Sequence, residues 1–130
     1  MNLGLIGRRI LLVEDELLIS CLLEDMLADL GCIVVGPASR LEQAMALAVA
    51  EVIDAGVLDV SLNGVLSYPL ADALRARSIP FMFSTGYDRD RLRADYQTFP
   101  MLQKPFHPRE LARSMEALFP AAEPAPDIAA

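Results

Sequence analysis

Short apolar segments alternate with amphipathic segments of helical spacing along most of the chain, and this alternation most constrains its fold. Strands are predicted at residues 9–13, 32–35, 55–60, 79–85 and 100–104, and helices at residues 16–30, 39–52, 68–77, 88–96 and 108–118. Strands that are apolar at nearly every position are typical of parallel sheets covered by helices on both faces. The sequence therefore predicts an α/β fold in which five βα units form a doubly wound parallel sheet.

Local signals predict where some of these elements begin and end. Gly36-Pro37 is expected to end the second strand, because both residues interrupt regular structure. Ser39, with Glu42 three residues later, predicts a capping box at the start of the second helix. The buried stripe of the first helix is predicted to contain Ile19, Leu22, Leu23, Met26, Leu27 and Leu30.

Composition excludes several classes of protein. The chain has 130 residues, of which 54% are hydrophobic, as expected for one folded domain rather than a disordered chain. Its net charge of −7 argues against non-specific nucleic-acid binding. No apolar segment approaches membrane-spanning length and no secretory signal begins the chain, so a cytoplasmic location is predicted. Residues 1–8 are expected to lead into a domain at 9–119, with a disordered Pro/Ala tail at 120–130.

Polar residues follow four of the predicted strands. Glu14 and Asp15 follow the first, Asp59 lies at the end of the third, Thr85 lies at the end of the fourth, and Lys104 ends the fifth. The carboxyl ends of parallel strands meet at one edge of the sheet, where such folds bind ligands. The fold is therefore expected to bring these five side chains together.

Three clustered carboxylates need compensating positive charge, and one lysine does not supply enough of it. Mg²⁺ prefers oxygen ligands and leaves coordination positions open to a phosphate oxygen, so a magnesium site is predicted. Asp59 could then act as a nucleophile that forms an aspartyl phosphate. Taken singly, each residue also has an ordinary explanation, such as an acid at a helix N-terminus or a solvated lysine.

The segments LLVEDE, LDVSLNG, STG and QKPF resemble, in this order and spacing, the receiver domain of two-component response regulators. The resemblance covers about residues 9–119 and implies a flavodoxin-like (βα)5 sheet with strand order 2-1-3-4-5. It implies that Asp59 is the phosphoacceptor, that Thr85 senses the phosphate and that Lys104 contacts it. It also implies that Mg²⁺ is held by Glu14, Asp15, Asp59 and the backbone carbonyl of Ser61.

The resemblance further implies partners. A histidine kinase or a histidine phosphotransfer protein would donate the phosphoryl group, and an unidentified protein target would receive the signal. Neither nucleic acid nor membrane is expected as a partner, and the chain is expected to be a monomer or a weak dimer. It would be a bacterial signalling phosphoprotein rather than an enzyme, although it would assist its own phosphorylation and dephosphorylation.

Three positions, Met101, Ser61 and Tyr87, are expected to set or tune the switch, and Asn63 is a further departure from the family pattern. Met101 stands where receivers usually carry Tyr or Phe, and Asn63 stands where they often carry Pro. These departures leave open whether the usual aromatic switch operates here and how the loop after Asp59 is shaped. Ser61 and Tyr87 occupy the positions that tune the lifetime of the acyl phosphate in the family.

The first helix has more apolar residues than its buried stripe requires. Leu17, Leu18 and Cys21 fall outside that stripe, close to the edge that carries Asp59. Exposed apolar residues often mark a contact surface, so a helical, histidine-bearing partner is predicted to dock there. A wide buried face is the alternative.

Other functions fit the sequence less well. A haloacid-dehalogenase-type phosphatase would need a second Asp two residues after the nucleophile, where this chain has Ser61. A nucleotide-binding protein would need a glycine-rich loop after the first strand. A degenerate receiver that binds partners without phosphorylation stays open, because Met101 departs from the family pattern. The tail is too short for a DNA-binding module, so a single-domain response regulator is predicted, with a fragment of a longer protein as the alternative.

Overall fold

The structure, a computed structural model, describes residues 4–120. Its strands are β1 (Arg9–Val13), β2 (Ile33–Ala38), β3 (Ala55–Leu58), β4 (Ser61–Leu62), β5 (Val65–Leu66), β6 (Phe81–Thr85) and β7 (Met101–Gln103). Its α-helices are α1 (Leu17–Asp29), α2 (Leu41–Ala50), α3 (Tyr68–Ala76) and α4 (Pro108–Leu118). Two 3₁₀ turns, Arg89–Arg91 and Ala94–Tyr96, lie between β6 and β7.

The main sheet has the order β2-β1-β3-β6-β7, and all of its neighbouring strands are parallel. The strands β6 and β7 take the fourth and fifth places, so the predicted order 2-1-3-4-5 is confirmed. The short strands β4 and β5 form a separate antiparallel hairpin in the connection from β3 to α3.

The sheet separates two apolar cores, because successive side chains of a strand point to opposite faces. Ile10 and Leu12 of β1 belong to one core, and Leu11 and Val13 belong to the other. The first core is completed by residues of α1 and α4, namely Leu23, Leu27, Leu111 and Met115. The second is completed by residues of α2 and α3, namely Ala44, Ala48, Leu70, Ala71 and Leu74. Helices therefore cover both faces, as the continuously apolar strands predict.

The structure corrects the predicted bounds around the second βα unit. The strand β2 continues through Gly36-Pro37 to Ala38, because it is an edge strand and an edge tolerates a proline without an N–H donor. The predicted capping box at Ser39 and Glu42 is wrong. Arg40 is the N-cap residue of α2 and makes no side-chain capping bond, while the Ser39 N–H donates to the Gln43 side chain.

Residues 88–96 form two 3₁₀ turns instead of the predicted helical stretch. Leu92 and Arg93 have extended backbone between the turns, which interrupts any continuous helix. This geometry buries both Leu92 and Tyr96 in the core. The ion pair of Arg93 with Asp72 ties the segment to α3, and a second ion pair of Arg93, with Asp95, lies within the segment. Buried contacts and charge pairs therefore replace helical hydrogen bonds here.

The ends of the described chain add one core contact. Leu5, in the predicted lead-in, is buried among the side chains of the α1 and α4 core. The predicted tail lies outside the described residues from 121 onward. Within residues 4–120, no helix is long and apolar enough to cross a membrane.

A matched pair of leucine substitutions tests this assignment of the core. Leu12 is fully buried, whereas Leu18 is 83% exposed. Leu12→Ala is expected to lower the free energy of unfolding by about 2–5 kcal/mol, because it removes buried methyl groups and leaves a cavity. Leu18→Ala is expected to change it by less than about 0.5 kcal/mol. Urea denaturation of both variants checks the expectation, and equal losses would contradict it.

Candidate functional site

The topology brings the predicted acidic residues together at the carboxyl edge of the sheet. The strands β1 and β3 are neighbours, and their last residues, Val13 and Leu58, are paired. The Asp59 N–H donates to the Val13 carbonyl at 2.8 Å, which fixes Asp59 beside Glu14 and Asp15. One oxygen from each of the three carboxylates lies within 4.8 Å of the others. The predicted cluster therefore exists as a compact group.

Lys104 supplies the positive charge of the cluster. Lys104 comes directly after β7, and its backbone N–H donates to the Thr85 carbonyl at 2.8 Å. The ammonium Nζ lies 2.6 Å from Glu14 Oε1 and 3.1 Å from Asp59 Oδ2. It is also 3.9 Å from the more exposed Glu16. One ammonium thus contacts two buried carboxylates.

Burial controls the electrostatics of the site. Glu14 and Asp59 are 2% and 6% exposed. Loss of solvation, together with the charge of Asp59, raises the pKa of Glu14 to about 7 against the opposing effect of Lys104. Burial likewise raises the pKa of Asp59, although Lys104 opposes the shift. Burial disfavours the charged form of Lys104, but hydrogen bonding to Glu14 and the charge of Asp59 outweigh this and raise the pKa of Lys104.

The donor set fits a divalent cation with a preference for oxygen. The clustered ligand atoms come from Glu14, Asp15 and Asp59. A single ammonium leaves negative charge in excess, and burial raises the pKa values of Glu14 and Asp59 by loss of solvation, so both carboxylates lack full compensation. Mg²⁺ binds through one or two carboxylates and keeps other positions for water or phosphate oxygens. The residues present therefore fit Mg²⁺ in their chemistry and spacing.

A cavity of about 540 Å³ opens over Asp59. Its walls are formed by Asp15, Glu16, Ile19, Asp59, Ser61, Thr85, Gly86, Tyr87, Lys104 and Pro105. Thus Asp59, Thr85, Lys104, Ser61 and Tyr87, all predicted from the sequence, line one space. The cavity leaves room for a small anionic group in contact with both Asp59 and Lys104.

The side opposite the acidic pair is formed by the end of β6. Thr85 is buried, and its hydroxyl accepts a hydrogen bond from the Tyr87 N–H at 3.0 Å. The Arg91 guanidinium stacks over the Tyr87 ring at 4.4 Å from its centroid. Tyr87 therefore lies at the cavity wall. Its backbone N–H is bonded to Thr85, and its ring contacts the Arg91 guanidinium.

The hairpin of β4 and β5 is a feature that the predicted site did not include. Its Asn63 N–H donates to Asp15 Oδ2 at 2.7 Å, and its Ser61 N–H donates to Asp59 Oδ1 at 3.3 Å. The signal for it was present in the sequence, because Asn-Gly between two short segments that can pair as strands is a strong hairpin signal. Two of the three clustered carboxylates, Asp15 and Asp59, therefore accept hydrogen bonds from backbone N–H groups of this hairpin.

The remaining predicted residues lie around the site rather than in it. Met101 is half-buried and packs against the core on the α2 and α3 side. Leu17 and Leu18 are 76% and 83% exposed, and Cys21 is also exposed. Leu22, which was predicted to be in the buried stripe of α1, is 45% exposed, because Leu23 and Leu27 face the core. The exposed face of α1 is thus wider than predicted.

His107 caps α4. Its Nδ1 accepts a hydrogen bond from the Arg109 N–H, and the Glu110 side chain accepts one from the His107 N–H. This reciprocal arrangement is a capping box with histidine in place of the usual serine or threonine. The single histidine of the chain therefore has a structural role outside the carboxylate cluster.

Comparisons with known proteins agree with this geometry. Residues 10–116 match the family model described as the response regulator receiver domain. The comparison with curated proteins found no match. Among solved structures, SdrG from Sphingomonas melonis Fr1 has 39% identity and a TM-score of 0.78, over 91% of this chain and 98% of that one. The BeF3-activated conformation of SdrG from Pseudomonas melonis Fr1 has 42% identity and a TM-score of 0.75, over 85% and 95%. The receiver domain of PhyR from Erythrobacter litoralis has 25% identity and a TM-score of 0.78, over 88% and 92%.

The raised pKa of Glu14 predicts a pH-dependent gain in stability for Glu14→Gln in chelator-treated protein. Because the pKa of Glu14 rises from an ordinary 4.5 to about 7 on folding, the unfolded chain loses this proton first as pH rises. As pH rises from 4.5 to about 7, ionisation of Glu14 therefore lowers the free energy of unfolding progressively. Above pH 7 the whole of this destabilisation is present. Glu14→Gln removes the penalty, so its melting temperature should exceed that of the wild type more at pH 8 than at pH 5.

Thermal denaturation at both pH values, in the presence of EDTA, measures this difference. Glu16→Gln is the matched control, because its side chain is 65% exposed and only distantly paired with Lys104. The control should show no comparable pH-dependent change. A Glu14→Gln variant that is less stable than the wild type at pH 8 would contradict the assigned electrostatics.

Proposed function

Since this chain belongs to the family of response regulator receiver domains of two-component signalling, we propose that it accepts a phosphoryl group on Asp59 and acts as a single-domain switch. The observation that carries the proposal is the buried Asp59 carboxylate in a cavity, paired with Lys104 and flanked by Glu14 and Asp15. Likeness to SdrG at 39% identity, over 98% of that chain, supports the receiver function.

The chemistry begins with Asp59 as nucleophile. One of its carboxylate oxygens would attack the phosphorus of a phosphohistidine on a histidine kinase or a histidine phosphotransfer protein. The new P–O bond forms as the P–N bond breaks, and the leaving imidazole nitrogen keeps the electron pair. Burial supports this role, because a partly desolvated carboxylate is less stabilised by water than an exposed one.

Charge compensation would come from two sources. Mg²⁺ held by Glu14, Asp15, Asp59 and the Ser61 carbonyl would offset negative charge on the transferring group. Lys104 already reaches the Asp59 carboxylate, so its ammonium is placed to pair with an oxygen of the phosphoryl group bound there. Electrostatic stabilisation of this kind is the main contribution that a protein makes to phosphoryl transfer.

Phosphorylation of Asp59 would be sensed at the end of β6. The Thr85 hydroxyl lines the cavity and is a suitable donor to a phosphoryl oxygen on Asp59. Such a bond would move Thr85 and the attached Tyr87 backbone, because the Tyr87 N–H is bonded to the same hydroxyl. Tyr87 and Ser61 at the cavity wall would set how fast water reaches the acyl phosphate. Met101 would respond by repacking rather than by an aromatic flip.

A degenerate receiver that binds partners constitutively is the alternative, and the complete acidic site does not favour it. Glu14, Asp15 and Asp59 form one cluster, and Thr85 and Lys104 line the same cavity as Asp59. Burial of Glu14 and Asp59 costs free energy that a bound cation would offset and that a site without a ligand would not.

Phosphorylation is tested by intact-protein mass after incubation with acetyl phosphate and Mg²⁺. The wild type should gain one phosphoryl group, and the gain should disappear with EDTA or in Asp59→Asn. Asp88→Asn is the control, because Asp88 is an exposed loop aspartate that accepts a bond from Gln103. Beryllofluoride binding, followed by thermal shift, detects a site whose phosphate turns over too fast to observe. If the wild type shows no phosphoryl adduct and also no thermal shift with beryllofluoride, the proposal is contradicted.

The exposed face of α1 would receive the phosphodonor protein. Leu17, Leu18 and Cys21 lie directly after the acidic pair, so a partner helix on this face would place its histidine near Asp59. Leu18→Glu should slow phosphotransfer from a phosphorylated histidine kinase by about tenfold, because it puts a charge into an apolar contact. It should leave phosphorylation by acetyl phosphate unchanged, because the cavity is intact.

The matched control is Val49→Glu, which changes an equally exposed apolar residue on α2. Val49 lies in the last turn of α2, at the end of the molecule opposite to Asp59. Rapid-quench assays with both donors separate docking from chemistry. If Leu18→Glu accepts phosphate from the kinase as fast as Val49→Glu does, the docking assignment is wrong.

A further inference from the structure

The hairpin after Asp59 is built as a rigid unit. Ser61 pairs with Leu66, and Leu62 pairs with Val65. Asn63 and Gly64 connect the two strands with φ angles of +52° and +86°. Positive φ at both central residues is the geometry of a two-residue turn that matches strand twist, and Asn-Gly is its preferred sequence.

The base of this hairpin is fixed to the chain around Asp59. The Ser67 hydroxyl donates to the Asp59 carbonyl at 2.6 Å, and the Ser67 N–H donates to the Val60 carbonyl at 2.8 Å. Ser67 is fully buried, and Leu62 of the hairpin is buried in the core. The hairpin therefore has little freedom to pivot about its attachment to the sheet.

The tip of the hairpin reaches a residue that is distant in sequence. The Asn63 N–H donates to Asp15 Oδ2 at 2.7 Å, across 48 residues of chain. A carboxylate with one oxygen held by a fixed N–H has its rotation restricted, which leaves the other oxygen for a metal ion. Groups that orient a metal ligand in this way commonly change metal affinity when they are removed.

We propose that the Asn63-Gly64 turn is a positioning element for the magnesium site, because its fixed N–H orients the Asp15 carboxylate for Mg²⁺. This inference rests on the proposed function in taking Asp15 as a magnesium ligand. Asn63 is a positioning residue and acts through Asp15, using its backbone rather than its side chain. By reciprocity, Mg²⁺ that fixes Asp15 also holds the hairpin, so metal binding and hairpin order are coupled.

The coupling gives the exposed part of the hairpin a link to the state of the site. Val65 and Leu66 are 52% and 48% exposed on the outer strand. The position of these two side chains depends on the turn that is bonded to Asp15. Binding of Mg²⁺ would thus change the order of an exposed apolar surface without any movement of the main sheet.

Three variants distinguish the contribution of the turn's backbone geometry from that of the Asn63 side chain. Asn63→Pro removes the N–H donor and cannot adopt the positive φ, so it abolishes the contact with Asp15. Gly64→Ala opposes the positive φ without a clash, because an added Cβ would have no atom within 4 Å. Asn63→Gly is the matched control, since glycine keeps both the N–H and access to the turn geometry.

The test measures the Mg²⁺ dissociation constant of each variant by isothermal titration calorimetry. Asn63→Pro should raise it about tenfold, with Gly64→Ala intermediate and Asn63→Gly close to the wild type. Saturating Mg²⁺ should restore phosphorylation of Asn63→Pro by acetyl phosphate, because Asp59 and Lys104 are unchanged. A wild-type dissociation constant in Asn63→Pro would overturn the proposal.

Hydrogen exchange of the wild type provides a measurement that does not depend on a variant. Mg²⁺ should slow exchange of the Asn63 amide, whereas the Ser78 amide at the end of α3 should respond less. Unchanged protection of Asn63 in Mg²⁺-saturated protein would also overturn the proposal. A wild-type chain that binds no Mg²⁺ would instead contradict the proposed function, so the two failures are distinguishable.

Discussion

The pairing of Lys104 with Glu14 and Asp59 is the interaction on which the site depends. Without the ammonium, three carboxylates at the edge of the sheet would face one another in a partly buried cluster. A charge that loses its hydration and has no partner costs several kcal/mol, which is a large share of the stability of a small domain. Lys104 offsets part of that cost and leaves a deficit that a divalent cation can fill. The site is therefore stable enough to fold and still prepared to bind Mg²⁺.

The sheet order makes this pairing geometrically possible. Because β1 and β3 are neighbours, Glu14 and Asp59 leave adjacent strands at the same edge. Lys104 follows the edge strand β7, and its long side chain reaches past the end of β6 to Asp59. Its backbone bond to the Thr85 carbonyl fixes where that reach begins. The Asp59 carboxylate, the Lys104 ammonium and Thr85 thus meet because three separate strands end at the same edge of the sheet.

The sequence was sufficient where a single strong pattern decided the outcome. Continuously apolar strands predicted the parallel sheet, and strand-end residues such as Asp59 and Lys104 predicted the cluster. It was insufficient where local signals competed with tertiary contacts. Ser39 has a capping signature, but edge pairing carries β2 to Ala38 and moves the start of α2. The charged residues 88–96 suit a helix, but burial of Leu92 and Tyr96 favours two short turns. The contact between Asn63 and Asp15 joins distant segments, and no local pattern reports it.

Lys104 compensates only part of the negative charge of the cluster, and we propose that Mg²⁺ completes the compensation. The most direct test compares Mg²⁺ affinity of the wild type and Lys104→Met by titration calorimetry at pH 8, with Lys104→Arg as the charge-conserving control. Lys104→Met removes an ammonium that competes with Mg²⁺ for Glu14 and Asp59. We therefore expect tighter Mg²⁺ binding in Lys104→Met and little change in Lys104→Arg. Equal or weaker Mg²⁺ binding in Lys104→Met would contradict the account, because Lys104 and the metal would then not share the same carboxylates.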